Sequence, residues 1–139
     1  MKVKNKKVYY CDFCKKHSLT FNSIKKHEEH CTLNPNRTCG LCDRKGNYKK
    51  EIKIINKAYK ELMSHKENGG IVETYCRVFE DKVKEMLEEI ECPVCMLSIL
   101  RLSDDGVIHW ANYSLKEEIQ KYWKIKAEEE EEETFRNGY

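Results

Sequence analysis

The fold of this chain is decided by residues 11–42, which read CDFCKKHSLTFNSIKKHEEHCTLNPNRTCGLC. This stretch holds five of the eight cysteines and three of the five histidines in less than a quarter of the 139 residues. Thiolates and imidazoles at short, regular spacing are the usual ligands of a tetrahedral metal site, and ordinary core packing does not require that spacing. The stretch therefore predicts metal coordination.

The first predicted metal site uses Cys11, Cys14, His27 and Cys31 as its ligands. In the Cys-x-x-Cys pair, one tight turn can aim both sulfurs at a single ion. His27 and Cys31 have three residues between them, so a helix would place them on one face. His30 is the alternative fourth ligand, but only two residues separate it from His27, fewer than the usual three to five or so.

Residues 9–31 resemble a known family, the classical zinc finger with two cysteines and two histidines, in the variant whose last histidine is a cysteine. Tyr9 lies two residues before the first cysteine and Ile24 three before the first histidine, where such fingers place core apolar residues. Ser18 departs from the family, which usually has an aromatic residue there. The resemblance implies a small ββα unit around one zinc ion. Residues 31–42 are also similar to small zinc-finger proteins of bacterial viruses, a likeness that implies no defined activity.

The resemblance also implies a helix from about Thr20 to Cys31. A finger helix that docks in the major groove of DNA would direct Thr20, Ser23 and Lys26 at base edges. Of these three side chains, only Lys26 is a strong reader of guanine. One finger covers about three base pairs, so tight sequence-specific binding by this finger alone is not expected.

A second predicted metal site has four cysteine ligands, which are Cys39, Cys42, Cys92 and Cys95. The 49 residues between the two Cys-x-x-Cys pairs show two amphipathic helical patterns, from about residue 47 to 67 and from about residue 71 to 91. Gly69-Gly70 separates them. Two equal antiparallel helices return the chain to its starting point, so the two pairs should meet at the open end of a hairpin and hold a second zinc ion.

The assignment of cysteines leaves one alternative open. A rival pairing places the first two Cys-x-x-Cys pairs around one ion. Its ligands would be Cys11, Cys14, Cys39 and Cys42. That pairing would leave Cys92 and Cys95 without a metal site unless they formed one with His27 and Cys31. The preferred assignment leaves only Cys76 unused, on the apolar stripe of the second long helix, where a small buried thiol is ordinary.

The remainder of the chain predicts smaller elements. Residues 96–102 are apolar on nearly all sides and are expected to be buried as a short helix or strand, and residues 107–110 are expected to form a short strand. A last helix should begin near Ser114, where Ser-Leu-Lys-Glu matches a capping box. The predicted fold class is mainly α, with a small ββα zinc finger, a zinc-clasped antiparallel helical hairpin and a C-terminal helix.

Four parts of the chain are expected from these patterns. They are a basic arm at residues 1–8, a zinc finger at 9–33, a zinc-clasped hairpin at 34–110, and a C-terminal helix with an acidic tail at 111–139. No apolar run is long enough to cross a membrane and no signal peptide is apparent, so we expect a cytoplasmic protein with reduced thiols.

The net charge of +2 hides a division between the two halves of the chain. Residues 1–60 carry sixteen Lys and Arg against five acids, and residues 61–139 carry ten against nineteen. Such asymmetry suggests contact with a polyanion at the basic end. The predicted nucleic-acid-binding residues are Lys2, Lys4, Lys6, Lys7, Lys15, Lys16, Thr20, Ser23, Lys25, Lys26, Arg37, Arg44 and Lys45. The acidic run Glu128–Glu133 is either a solvated surface or a competitor of nucleic acid for the basic half.

The sequence favours a protein without catalysis. The interval between the last two cysteine pairs has none of the histidine-rich core of zinc-stapled nucleases, and no Gly-rich phosphate loop occurs. The literal deaminase pattern His27-x-Glu29 uses a histidine already assigned to metal. Both predicted zinc sites have four protein ligands, whereas catalytic zinc keeps an open position.

Two functions follow from these features. The leading hypothesis is a nucleic-acid-binding accessory or regulatory factor that contacts DNA or RNA through its basic half. The alternative is a viral or cellular adapter or inhibitor that binds a partner protein through the helical hairpin and the acidic tail. Neither a membrane nor a small-molecule substrate is expected as a partner.

Overall fold

A computed structural model describes residues 1–69 and 71–137 of the chain. Gly70, the second glycine of the predicted interhelical turn, and the last two residues of the predicted tail lie outside the described residues. The described elements are, in chain order, β1 (Tyr9–Tyr10), β2 (His17–Ser18), α1 (Phe21–His30), α2 (Lys49–Glu67), α3 (Val72–Ile90), α4 (Pro93–Leu102), α5 (Val107–Trp110) and α6 (Leu115–Asn137). The chain is therefore mainly helical, as predicted.

The first three elements form a small ββα unit. β1 pairs antiparallel with β2, with Tyr9 opposite Ser18, and α1 packs against both strands. Ile24 is buried, as its position in the finger pattern predicts. The ring of Phe21 meets the ring of Tyr9 edge-on at 5.7 Å. Phe21 therefore supplies an aromatic contact that Ser18 cannot.

The two predicted amphipathic patterns form α2 and α3, each of 19 residues. Their apolar faces pack on each other, because residues three and four apart along a helix share one side. The ring of Tyr59 meets that of Phe79 and the ring of His65 stacks on that of Tyr75, so the two helices run antiparallel. Because each is about 28 Å long, the chain returns to its starting end. The buried side chains of this pair are Ile55, Ala58, Leu62, Phe79, Val83, Met86 and Ile90.

α4 is the most deeply buried helix of the described chain. α3 ends at Ile90, its capping residue Glu91 has a left-handed backbone with φ 68°, and Pro93 then occupies the start of α4. Proline is favoured there because its missing N–H would have no partner in the first turn. Met96 and Ile99 are fully buried, and α4 contacts α2, α3, α5 and α6. Of the two forms predicted for residues 96–102, the helix is the one observed.

The prediction of a strand at residues 107–110 is wrong, because these residues form the short helix α5. Gly106 has φ 92°, a left-handed conformation that turns the chain into the helix. The N–H of Ala111 then donates to the carbonyl oxygen of Val107 at 2.9 Å, which closes a helical turn. Val107 is fully buried against the other helices, so tertiary packing decides the conformation of this short apolar run.

α6 begins at the predicted capping position. The N–H of Glu117 donates to Oγ of Ser114 at 3.4 Å, which is one half of the predicted capping box. The first part of α6 packs on α4, and the hydroxyl of Tyr113 donates to the carbonyl oxygen of Pro93 at 2.6 Å. The acidic run Glu128–Glu133 is helical and exposed. Among the described helices, none is long and apolar enough to cross a membrane.

Loop contacts join the ββα unit to the helical part. The hydroxyl of Ser98 in α4 donates to the carbonyl oxygen of Thr32 at 2.6 Å, just after α1 ends. The N–H of Thr38 donates to the carbonyl oxygen of Glu29 at 2.8 Å. The expected four-part division stays a prediction, and these bonds link its second and third parts.

Candidate metal centres

The first cluster consists of Cys11, Cys14, His27 and Cys31, whose ligand atoms all lie within 4.8 Å of one another. The cysteine pair lies in the turn between β1 and β2. One backbone amide donates to each of its sulfurs: the N–H of Phe13 lies 3.4 Å from the Cys11 sulfur, and the N–H of Lys16 lies 3.4 Å from the Cys14 sulfur. Such amides stabilise negative charge on the two thiolates.

α1 contributes the other two members of this cluster. His27 lies within the last turn and Cys31 caps the end of α1, four residues later. Nε2 of His27 lies 3.1 Å from the sulfur of Cys14. Burial lowers the pKa of His27, and the positive charge of Lys16 adds to the effect. The neutral imidazole, which is the form that binds a metal, is therefore favoured.

The structure distinguishes between Cys31 and His30, the two candidates for the fourth ligand of the first cluster. Cys31 is buried within the cluster. His30 is exposed, and its Nδ1 lies 2.6 Å from the carbonyl oxygen of Thr38 instead. The geometry therefore groups Cys31, and not His30, with the other three side chains.

The second cluster consists of Cys39, Cys42, Cys92 and Cys95, again with all ligand atoms within 4.8 Å of one another. The sulfurs of Cys39 and Cys92 are 3.6 Å apart, and those of Cys42 and Cys95 are 3.5 Å apart. Two sulfurs at about 2.3 Å from one ion, at the tetrahedral angle, would be about 3.8 Å apart. A disulfide needs about 2.05 Å. The spacing therefore fits a tetrahedral ion and excludes disulfides.

Two different local structures bring these cysteine pairs together. The first pair lies in a tight turn next to an isolated bridge between Thr38 and Lys45, where the N–H of Asp43 donates to the carbonyl oxygen of Cys39 at 3.0 Å. The second pair opens α4, with Cys92 as its N-terminal capping residue. The positive end of a helix dipole favours thiolates at that position. The residues between the two pairs include α2 and α3, so this cluster lies at the open end of the two long helices.

The electrostatics of the second cluster favour a cation among its sulfurs. Hydrogen bonding with Cys92 lowers the pKa of the Cys95 thiol, against the opposing effect of burial. The same contact raises the pKa of Cys92, and burial adds to that rise. Like charges this close oppose one another, so ionisation of all four thiols is favoured only when positive charge lies close to the sulfurs. A divalent metal ion would supply that charge.

The remaining sulfur lies apart from both clusters. Cys76 packs against the hydrophobic core from α3, as its place on the apolar stripe predicts. The rival grouping of Cys11 and Cys14 with Cys39 and Cys42 does not occur among the described residues. None of the eight cysteines forms a disulfide.

Most of the predicted nucleic-acid-binding residues are exposed. The lysines of the basic arm and of the ββα unit are exposed, as are Thr20 and Ser23. Arg44 and Lys45 are also exposed, although Nη1 of Arg44 donates to the carbonyl oxygen of Ile90 at 3.3 Å and so caps α3. These placements leave the cationic side chains accessible to a polyanion.

Arg37 corrects this set, because its side chain is only 1% exposed. Its Nε donates to the carbonyl oxygen of His30 at 3.3 Å, and its Nη1 lies 3.7 Å from the sulfur of Cys95. A side chain buried in this way does not reach a phosphate. In the sequence, Arg37 belongs to a basic loop. In the structure, its guanidinium lies against Cys95, which is 58 residues away along the chain.

A basic helix face was not among the predicted site residues. The exposed side of α2 carries Lys49, Lys50, Lys53, Lys57 and Lys60. Four of them recur at intervals of four, four and three, so they form one stripe on the helix. None of them forms an ion pair with a described residue. The spacing of these lysines in the sequence was the signal that could have identified the stripe.

The chain matches no family model, and comparisons with curated proteins and with solved structures find no significant similarity. The resemblance of residues 9–31 to a zinc finger therefore rests on the residues of this chain, and the likeness to proteins of bacterial viruses gains no support. What the structure adds is the geometry of two cysteine-rich clusters, each of which could hold a metal ion.

Proposed function

We propose that this chain is a structural zinc protein without catalysis, which binds the phosphate backbone of DNA or RNA through its basic surface. The observation that supports the metal assignment is the pair of four-ligand clusters described above. Sulfur and imidazole donors in a tetrahedral arrangement suit zinc, whereas calcium and magnesium require oxygen. A cluster of three thiolates and one imidazole, in a classical finger spacing, favours zinc over an iron–sulfur centre.

A structural role follows from the number of protein ligands. Each cluster offers four, which fills a tetrahedral ion and leaves no position for a substrate or a water. In the second cluster, Cys39, Cys92 and Cys95 are almost completely buried. The two ions are therefore proposed to stabilise the fold.

The second ion would act as a clasp for the helical hairpin. It would join the loop at Cys39 and Cys42 to the start of α4, and so hold the two ends of the α2–α3 segment together. Metal binding of this kind contributes directly to the free energy of folding, because the unfolded chain has no preformed site. We therefore infer a zinc-clasped hairpin at the centre of the molecule.

Binding to a polyanion is supported by the exposed and unpaired lysines. The basic arm, the ββα unit and the α2 stripe present cationic side chains to solvent. The opposite face of α2 packs into the core through Ile55, Ala58 and Leu62, which holds the stripe on a rigid support. Contacts between lysine and phosphate are insensitive to sequence, so we expect non-specific or weakly specific binding.

The salt dependence of binding tests this function. Affinity for a fluorescent duplex and for a single-stranded RNA would be measured between about 50 and 200 mM salt, where six to ten phosphate contacts lose roughly 10³-fold or more. The double variant K53Q/K57Q should reduce the slope of log affinity against log salt by up to about 2. The matched control is K82Q/K84Q on α3. The function is excluded if no DNA or RNA is retained at low salt.

A groove between α3 and α6 supports the second candidate, a protein-interaction adapter. Its volume is about 530 Å³, and its apolar lining includes Leu87, Tyr122 and Ile125. Trp123, next to the groove on α6, is 57% exposed. Binding of a partner helix in such a groove would scarcely respond to salt, so the same titration with a protein partner would separate the two functions.

A further inference from the structure

Arg37 is the only charged side chain that is buried among the described residues. A buried guanidinium is unfavourable unless negative charge or hydrogen-bond acceptors surround it. No described carboxylate forms an ion pair with Arg37. Its compensation must therefore come from another kind of group.

The surroundings of the guanidinium are the sulfurs of the second cluster and one backbone carbonyl. Nη1 lies 3.7 Å from the sulfur of Cys95, and Nε donates to the carbonyl oxygen of His30 at 3.3 Å. Nη2 is buried without a hydrogen-bond partner. The side chain thus directs its charge at a cluster of thiols, which is an electrostatic match only if those thiols are ionised.

A zinc ion with four thiolates has a net charge of −2, and burying that charge is costly. Neighbouring cations and N–H donors reduce the cost and hold the sulfurs in place. Arg37 supplies one full positive charge at this position, and the N-terminus of α4 supplies a partial one. Arginine suits the role because it stays protonated under all ordinary conditions.

The second contact of Arg37 reaches the first cluster. His30 is the last residue of α1, between the ligand His27 and the ligand Cys31. Its carbonyl oxygen is one of those that lack an intrahelical partner at the end of a helix. A cationic donor is favoured there by the helix dipole. One side chain therefore contacts the scaffold of the first cluster and a ligand of the second.

We propose that Arg37 is a positioning residue for the four-cysteine centre, where its permanent charge offsets that of the metal–thiolate group while its Nε fixes the ββα unit against that centre. This inference rests on the proposed zinc ions. It does not depend on nucleic-acid binding. Arg37, which the basic composition of its loop assigns to phosphate binding, would thus stabilise the metal centre instead.

Metal competition on three single variants tests the proposal. R37M keeps most of the apolar stem and removes the charge, R37K keeps the charge and loses the planar fork, and S98A breaks another link to the loop after α1 without changing charge. Cobalt(II) would replace zinc, because its absorption spectrum distinguishes a four-sulfur site from a site with three sulfurs and one nitrogen. Each site would then be titrated against a chelator.

We expect R37M to weaken cobalt binding at the four-sulfur site by roughly 10- to 100-fold, as loss of outer-sphere partners does in other metal sites. R37K should lose less cobalt affinity than R37M, and S98A should bind cobalt about as tightly as the unsubstituted protein. Equal binding by R37M, or an equal loss in S98A and R37M, would overturn charge compensation. A chain that binds no metal would overturn the zinc assignment itself, and the inference with it.

A measurement on the unsubstituted protein covers the case in which R37M does not fold. With ¹¹³Cd in both sites, a guanidinium proton of Arg37 that is bonded to the Cys95 sulfur should show a scalar coupling to the metal and slow exchange with water. A rapidly exchanging Arg37 side chain without that coupling would refute the contact and the role.

Discussion

Cys31 and His30 are neighbours at the end of α1, but only the thiol faces the first cluster. We predict that C31A reduces the number of bound zinc ions from two to one, because three ligands hold a structural ion poorly. H30A should retain both ions. Native mass spectrometry counts them directly. The opposite pattern, with an ion lost in H30A and kept in C31A, would contradict the ligand assignment.

His27 makes the first cluster sensitive to acid. Its pKa is lowered by burial, so between the folded pKa and the ordinary value of about 6.5 the unfolded chain binds more protons than the folded one. The contribution of the neutral ring to stability is therefore present above about pH 6.5 and is lost as the pH falls through the folded pKa. Metal binding also requires the neutral ring, so its contribution to stability is likewise lost as the pH falls.

Thermal unfolding at several pH values measures this effect. We expect the melting temperature of the zinc-loaded protein to fall between about pH 7.5 and pH 5, where an ordinary histidine becomes protonated. H109N is the control, because His109 is exposed on α5 and should leave the pH dependence unchanged. A melting temperature that stays constant down to pH 5 would contradict the role of His27.

At the scale of single elements, Gly106 decides how α5 begins. Its φ is 92°, and an added Cβ would collide with the hydroxyl of Tyr59 on α2. We predict that G106A lowers the free energy of unfolding by more than about 1 kcal/mol, from backbone strain alone. G40A is the control, because a Cβ at Gly40 meets nothing within 4 Å and its φ is not positive.

A double variant separates the two causes of that loss. Y59F removes the hydroxyl that the new Cβ would meet, so G106A/Y59F should recover the steric part of the loss and keep the backbone part. Urea unfolding of the two single variants and the double variant gives the coupling. If G106A is as stable as G40A, the left-handed turn at Gly106 does not direct the chain into α5.

The long helices were predictable because their evidence is local. The apolar residues of α2 and α3 recur over 19 residues each, which is enough to establish a helical period. α5 has four residues, too few for any period, and its conformation depends on Gly106 and on the burial of Val107. A run of that length is decided by tertiary packing, which the sequence does not display.

The candidate site also combines features that local sequence predicts, which are the metal clusters, with one that depends on tertiary packing, which is the position of Arg37. Ligand spacing predicts both groups, since each Cys-x-x-Cys pair is a local feature and equal helices bring the ends of the hairpin together. The position of Arg37 is not local. It depends on how the loop after α1 packs on α4, where Cys95 lies. Its burial could not be predicted from its basic neighbours.

At the scale of the whole molecule, the charges are divided between surfaces. The exposed side of α2 is basic, and the distal part of α6 displays the acidic run Glu128–Glu133. If the acidic run competes with nucleic acid for the basic half, deletion of residues 127–139 should increase affinity at fixed low salt. Unchanged affinity would remove this masking role and leave the run as a solvated surface.

At the same scale, the stability of the fold is proposed to depend on two structural zinc ions in one small molecule. With few buried residues outside the helical core, we expect the chain to lose its fold when both ions are removed, as small metal-stabilised domains do. Variants of one ligand per cluster, C14S and C42S, should each remove one ion.

The most direct measurement is native mass spectrometry of the purified protein, followed by circular dichroism after removal of metal with a chelator. The account predicts two zinc ions per chain, one in each of C14S and C42S, and loss of the cooperative thermal transition in the metal-free protein. A chain that carries no metal and keeps its helical signal and cooperative unfolding would contradict it.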